Sequence, residues 1–273
     1  MGVPPFQIQI YRSKMYVVEG EPLGVYFGKK WARSCEDMAD RKIDCADFSV
    51  NDEGYLVYVG KGNSWKDGRA KNLWGTFGSS NGVVFPWGIP QAAAPWPEVS
   101  KMGESMPDFG LGWGANLRWG GLGISTLFQG EFGPEIYSGS LQWADNSANS
   151  GKVHDQTFKP EAEWKPLGYY FNFYDVNNNN DRWVRDGTYV KWREVSVRYN
   201  LSRDQLSRVL GRVAPSEVTL NLIGRNLYTW TDYEGFDPEV GSSNFLGSAV
   251  VGRVDEQSYP NYRTYGFDVE LTF

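Results

Sequence analysis

The chain of 273 residues holds one histidine, His154, two cysteines, Cys35 and Cys45, and 33 Asp+Glu, so any acid–base chemistry has to be sought among its carboxylates. His154 sits in the polar stretch Gly151-Lys152-Val153-His154-Asp155 with no nucleophile motif around it, and reads as a solvated loop residue. Two close carboxylate pairs, Asp232/Glu234 and Asp237/Glu239, have the composition of a glycosidase acid and base. Asp175, Asn177, Asn179, Asp181 and, at the twelfth position, Asp186 have the spacing of a calcium loop. Its sixth position is Asn180 instead of Gly, although Asn tolerates the left-handed conformation, and its twelfth is the shorter Asp. A polar surface turn is the competing reading. Two cysteines with no histidine near them cannot complete a structural zinc site. A local disulfide in an oxidising compartment is the expected state of Cys35 and Cys45, over two free thiols. Nothing in these patterns implies a cofactor, and no enzymatic function is expected.

The bulk properties point away from nucleic acid. There are 27 Lys+Arg against 33 Asp+Glu, a formal charge of −6, and phosphate binding needs a cationic surface. Twelve Trp and 32 Gly at a mean hydropathy of −0.49 suit β-structure with many turns and with rings placed at an interface. No stretch of about 18 apolar residues is present, which excludes a transmembrane helix. A barrel strand needs only about 9–11 residues of alternating polarity, so the membrane stays open. The opening Met1-Gly2-Val3-Pro4-Pro5 has neither the basic nor the apolar region of a signal peptide.

The elements that would position any site are long alternating strands. Phe109, Leu111, Trp113, Ala115, Leu117 and Trp119 share one face, against Gly110, Gly112, Gly114, Asn116 and Arg118 on the other. Gly120-Gly121 makes a tight turn, and Leu122, Ile124, Thr126 and Phe128 begin the return strand. Val195, Val197, Tyr199 and Leu201 alternate with Ser196, Arg198 and Asn200. A short helix is expected next, with Ser202 as its N-cap, Leu206, Val209 and Leu210 at helical spacing, and Gly211 as the stop. Val218, Leu220, Leu222, Tyr228 and Trp230 then oppose Thr219, Asn221, Arg225 and Thr229. In the last segment Tyr265, Phe267, Val269, Leu271 and Phe273 alternate with Thr264, Gly266, Asp268, Glu270 and Thr272. Two carboxylates in mid-strand suit a wet lumen better than a dry sandwich core.

In the N-terminal third, Phe6–Ile10, Met15–Val18, Val25–Phe27 and Tyr55–Val59 are strand candidates. Polar insertions at about 29–53, 60–81, 133–185 and 231–260 are read as long connections of the kind found outside a barrel. The other architecture consistent with alternation is a soluble carbohydrate-binding β-sandwich. Trp and Tyr at strand ends, and strands longer than soluble folds commonly use, favour the barrel. Trp87, Trp96, Tyr169, Tyr170, Phe171, Trp183 and Tyr233 are the loop aromatics that could stack on a sugar or anchor a partner, or else pack the loops together.

Five stretches, in order, resemble the C-terminal part of SusC/RagA-type TonB-dependent outer-membrane transporters. They are Val18-Glu19-Gly20-Glu21-Pro22-Leu23-Gly24, Met106-Pro107-Asp108-Phe109-Gly110, and Asp186-Gly187-Thr188-Tyr189-Val190-Lys191-Trp192-Arg193-Glu194-Val195. Then come Gly224-Arg225-Asn226-Leu227 running on to Asp237-Pro238-Glu239, and Tyr259-Pro260-Asn261-Tyr262-Arg263-Thr264 leading into a final strand ending at Phe273.

The resemblance implies an all-β fold: an antiparallel transmembrane β-barrel segment, residues 1–273 being the C-terminal strands of a large barrel of about 22 strands. It implies location in the bacterial outer membrane and import of large nutrients, oligosaccharides or peptides. The implied partners are a SusD-like surface lipoprotein, the lipid bilayer, the solute, and TonB, which would be engaged through an N-terminal plug-bearing part that the chain lacks. About eight to ten strands are expected here. Both carboxylate pairs fall within a recurrent loop word of that family, so hydrogen bonding to turn amides is expected of them. Arg118, Arg225, Trp183 and Tyr233 are the substrate-contact candidates.

Overall fold

A computed structural model describes residues 15–16, 18–93, 100–146, 155–173, 179–240 and 253–273, and the statements below concern these residues. His154, Trp96, Asp175, Asn177 and the expected strand Phe6–Ile10 lie outside them. The chain divides into two compact units. One comprises Met1–Met106, Glu135–Arg185 and Val240–Ser258, and the other Pro107–Pro134, Asp186–Glu239 and Tyr259–Phe273.

The second unit is built on five long strands: β1 (Phe109–Trp119), β2 (Leu122–Phe132), β3 (Tyr189–Ser202), β4 (Glu217–Thr231) and β5 (Thr264–Thr272). They form one open antiparallel sheet in the order β5-β4-β3-β2-β1, and no sheet closes on itself. Four of the five have 11 to 15 residues and β5 has nine, all enough to cross a hydrocarbon core when tilted. Among the described residues the other strands are of two to five residues.

The register aligns the alternating residues into two faces. Leu117, Ile124, Val197, Leu222 and Phe267 form one cross-strand row, and Trp119, Leu122, Tyr199, Leu220 and Val269 the next. This apolar face is uncovered: Leu117 is 62% exposed and Phe267 63%. A soluble sandwich would bury that face under a second sheet, and none covers it among the described residues. Rings bunch at its loop end, where Phe128 stacks on Trp192 at 5.7 Å and lies 5.5 Å from Trp113. Even the indole N–H there is satisfied locally, since Trp192 Nε1 donates to Thr126 Oγ1 at 2.7 Å and Thr126 Oγ1 donates to the Glu194 carbonyl at 3.1 Å. A polar atom with no water beside it needs such a partner.

A stepped irregularity interrupts the alternation. Between the paired positions Thr126/Val195/Gly224 and Phe128/Trp192/Tyr228, β2 has one residue (Leu127), β3 two (Arg193 and Glu194) and β4 three (Arg225, Asn226 and Leu227). Each strand thus gains one residue on its neighbour, which increases local twist and shear. In β3 the apolar face passes from Val190 and Trp192 to Val195 and Val197, so simple alternation stops reading correctly there. Asn226 carries a left-handed φ of 51°, and its Nδ2 donates to the Tyr262 carbonyl at 3.1 Å. Asn is one of the few residues that tolerates this backbone.

The short connections are as expected. Gly120 has φ 56°, the left-handed geometry that a two-residue hairpin requires. The helix α1 spans Arg203–Leu210 between β3 and β4, with Ser202 at its N-cap and Gly211 at its C-cap. The Ser202 amide donates to Gln205 Oε1 at 2.9 Å, one half of a capping box.

The first unit corrects the reading of the insertions. Residues 29–53, 60–81 and 133–185 send Met38, Trp65, Tyr137, Tyr169, Phe173 and Trp183 into one buried core with Tyr26, Tyr55, Tyr58, Phe85 and Trp87. Its strands are two to five residues long, among them Val25–Gly28, Phe48–Val50, Leu56–Tyr58, Phe77–Ser80, Val83–Pro86 and Ser100–Glu104. Pieces so short show no periodicity, and the stability comes from tertiary burial of rings. Cys35 and Cys45 are joined by a disulfide with Cα atoms 5.8 Å apart, which closes a loop bearing the buried Met38.

Candidate functional site

Arg118, Glu194, Ser196, Arg225, Asp268 and Glu270 of the second unit share the face opposite the apolar one. Arg118 faces Gly123 across β1 and β2 and is exposed. Arg225 Nε donates to Glu194 Oε2 at 2.9 Å and remains largely exposed. Ser196 Oγ donates to Asn221 Oδ1 at 2.9 Å, and Asn200 Nδ2 to Glu217 Oε1 at 2.7 Å. Asp268 lies opposite Asn221, and Glu270 opposite Thr219. The two carboxylates of the final strand therefore stand in a ladder of amides and hydroxyls, as a wet face permits.

At the loop end of this face lies an ion cluster that sequence reasoning missed. Lys191 Nζ donates to Asp237 Oδ1 at 2.6 Å and to Glu239 Oε2 at 3.0 Å. Arg193 grips Glu239 with two nitrogens, at 2.8 and 2.5 Å. Asn261 closes the far side, its amide donating to Asp237 Oδ2 at 3.0 Å and its Nδ2 to Glu239 Oε2 at 2.7 Å. The Glu239 amide donates to Asp237 Oδ1 at 2.9 Å. Lys191 is 1% exposed and Asp237 7%, so their charges survive burial only as a hydrogen-bonded set.

Burial would raise the Glu239 pKa, but the hydrogen bonds from Arg193 and Lys191 prevail and hold it down at about 2. Such a carboxylate is permanently ionised at working pH and cannot serve as a general acid. Asp237 thus accepts from the loop amides of Glu239 and Asn261, as expected, whereas Glu239 accepts from the side chains of Lys191, Arg193 and Asn261. The missed signal was the spacing: Lys191-x-Arg193 and Asp237-x-Glu239 are both of the i, i+2 kind, the repeat that places strand side chains on one face.

The other two candidates are interior residues. Trp183 is fully buried in the first unit, where its Nε1 donates to the Phe173 carbonyl at 3.3 Å, and no ring surface is left for a solute. Tyr233 is 6% exposed, and a Cβ on Gly235 would lie 2.2 Å from its ring, so Gly235 is what lets the loop fold over it. Of the calcium candidates, Asp181 Oδ1 accepts the Trp31 amide at 3.1 Å and Asp186 Oδ1 the Thr188 amide at 2.8 Å. Among the described residues no three His, Cys, Asp or Glu side chains are grouped to hold a metal.

The first unit has its own charged network. Lys165 donates to Asp52 Oδ1, and Lys159 to Asp52 Oδ2 at 2.9 Å. Arg182 donates to Glu53 Oε2 at 3.1 Å, and the Tyr169 and Tyr170 hydroxyls reach the same carboxylate at 3.2 and 3.3 Å. Burial, and then the Glu53 charge, push both phenols upward. For Asp52, hydrogen bonds from Lys165 and Lys159 outweigh the burial that would raise it, and it is held below the usual carboxylate range. Every charge here is answered by another, which is the pattern of a structural staple.

No family model matches the chain. It is 30% identical over 189 residues to the TonB-dependent receptor P3 of Formosa agariphila, a match covering 63% of this chain and 17% of that receptor. It is 28% identical over 184 residues to the TonB-dependent receptor P26 of the same organism, covering 63% and 18%. The chain thus spans under a fifth of the length of these relatives. In fold it is similar to the RagAB peptide importer in its open-open state, with a TM-score of 0.59 at 14% identity, over 100% of this chain and 25% of that one. The closed-closed state gives a TM-score of 0.57 over the same shares. By sequence the chain is therefore a relative of the TonB-dependent receptors of the bacterial outer membrane, and by fold it is similar to part of the RagAB importer.

Proposed function

We propose that the chain is the C-terminal portion of a large barrel, of about 22 strands, that imports oligosaccharides or peptides across the outer membrane in a TonB-dependent manner, paired with a SusD-like surface lipoprotein. The observation that supports this most directly is the two-faced sheet. An uncovered row such as Leu117, Ile124, Val197, Leu222 and Phe267 suits lipid, while Arg118, Arg225, Asp268 and Glu270 sit on the opposite, wet face. In this reading Arg118 and Arg225 line the solute's path, the Lys191–Asp237–Glu239–Arg193 cluster fixes the loop above it, and the chain performs no catalysis.

The test is fractionation and uptake in cells that make the protein, with an antibody raised against residues 258–273. The expected result is a signal in the detergent-solubilised outer membrane, and uptake of a labelled glycan or peptide that stops when TonB is deleted. Recovery in the soluble fraction without detergent, or uptake that ignores TonB, overturns the proposal.

A further inference from the structure

The helix α1 presents an apolar stripe with nothing packed over most of it. Leu206, Val209 and Leu210 recur at the three- and four-residue spacing that puts side chains on one helix face, and Val213 extends the stripe into the 3-10 turn Gly211–Val213. A helix in a soluble turn buries such a stripe against the sheet. Here Val209 is 85% exposed and Val213 80%. Arg203, Arg208 and Arg212 occupy the remaining surface, with Asp204 the one acid between residues 203 and 213. All three arginines are exposed, and among the described residues no ion pair holds any of them.

Two features set the level of this helix and the side it faces. Trp119 and Tyr199 stand in one cross-strand row on the apolar face, at the turn end of the sheet, and α1 begins four residues beyond Tyr199. Rings in such a row mark the boundary between hydrocarbon and water. Val218 belongs to the apolar face, alternating with Leu220 and Leu222, yet it is buried while Leu271, its partner in the register, is exposed. Ala214, four residues before it, is buried as well, so the connection between α1 and β4 lies against the apolar side. On the polar side the same strand ends close with their own side chains, Asn200 Nδ2 donating to Glu217 Oε1.

An apolar stripe at this level, continuous with the apolar face of the sheet and edged with arginines, fits a phospholipid surface. Its apolar residues would reach the tops of the acyl chains, and guanidinium groups pair well with phosphates. A protein partner would have to cover the helix and stop at the ring row, whereas a bilayer covers both with one continuous medium.

We propose that α1 is an interfacial helix of the leaflet at the turn end of the sheet. The stripe from Leu206 to Val213 is sunk in the headgroup boundary. Arg203, one turn before Leu206, and Arg212, one turn after Val209, bind the phosphates of anionic phospholipids. This rests on the reading of the apolar sheet face as lipid-facing.

The test uses the protein purified from outer membranes in detergent, labelled at single cysteines with an environment-sensitive dye. It is reconstituted into vesicles of phosphatidylethanolamine and phosphatidylglycerol at three to one. Val209→Cys reports on the stripe, Ser207→Cys on the polar side of the same helix, and Leu222→Cys on the apolar sheet face. All three positions are exposed, and Cys35 and Cys45 are joined and do not take the dye. Iodide in the buffer should quench the Val209→Cys dye several-fold less than the Ser207→Cys dye. A lipid carrying a nitroxide just below its headgroup should quench the Val209→Cys dye several-fold more. Nitroxide phosphatidylglycerol should quench it more strongly than nitroxide phosphatidylcholine at equal fraction, and Arg203→Gln with Arg212→Gln should remove that preference.

Equal iodide access to the Val209→Cys and Ser207→Cys dyes overturns the proposal. So does a Val209→Cys dye that neither iodide nor nitroxide lipid reaches, which would mean that protein covers the helix. Equal quenching by the two nitroxide lipids overturns the assignment of anionic phospholipid. Quenching of the Leu222→Cys dye by nitroxide lipid, with none at Val209→Cys, removes the interfacial helix and leaves the import reading standing. No lipid quenching of either dye removes the lipid-facing reading of the sheet as well.

Discussion

Lys191 and Asp237 meet at 2.6 Å across 46 residues of chain, and both are buried. The lysine belongs to β3 and the aspartate to the loop after β4, so this contact decides where that loop lies. Replacing Lys191 with Met leaves Asp237 buried beside Glu239 without its cation. Removing one partner of a buried pair costs about 3–5 kcal/mol. The expected outcome is faster limited proteolysis within residues 232–240 and a lower midpoint of heat-induced unfolding in detergent. Unchanged cleavage would mean that the loop is held by other contacts.

Glu239 gives this cluster a pH signature. Its folded pKa, about 2, lies below the ordinary value of 4.5, so its ionised form stabilises the fold fully above the ordinary value. That contribution is lost as pH falls from about 4.5 through about 2. Glu239→Gln should therefore lower the unfolding midpoint at pH 7, by about 2–4 °C for each kcal/mol lost. The gap between parent and variant should close as pH falls through that window. A gap that stays constant down to pH 2 would show that the charge of Glu239 is not what matters.

The two faces of β5 can be separated with neighbouring residues. Val269 is on the apolar face and Glu270 on the polar one, opposite Leu220 and Thr219. An arginine on the lipid side costs about 2–4 kcal/mol near mid-membrane, whereas a lumen position tolerates it. Val269→Arg should reduce the fraction of protein recovered assembled in the outer membrane, and Glu270→Arg should leave it within error. Equal recovery of the two would contradict the assignment of faces.

Cys35 and Cys45 close a loop whose removal from the unfolded ensemble is worth roughly 2–3 kcal/mol in the chain-entropy account. Changing both to Ser should lower the thermal midpoint of the first unit's near-ultraviolet signal. The parent should show the same loss on reduction, and the double variant should no longer respond to reductant. A midpoint indifferent to both would mean that the loop's other contacts suffice.

Much of the second unit was legible from residues alone. Alternation located β1, β2 and the last strand, which ends at Thr272, and cap and spacing residues located the Gly120-Gly121 turn and the helix after Ser202, because all of these are local properties of the chain. The disulfide, too, followed from composition and spacing. Three things were decided only by the tertiary structure. The staircase at Leu127, Arg193 and Asn226 depends on how three strands align, and no single strand records its own register. The ion cluster joins Lys191, Asp237, Glu239 and Asn261 from three separated segments, so each residue alone looks like an ordinary surface polar group. The first unit shows the same limit: its strands are too short to carry a pattern, and Trp183, read as a solute contact, is buried because rings from distant segments converge on it. Local periodicity fixes which way a strand faces, whereas burial is set by whatever the rest of the chain brings against it.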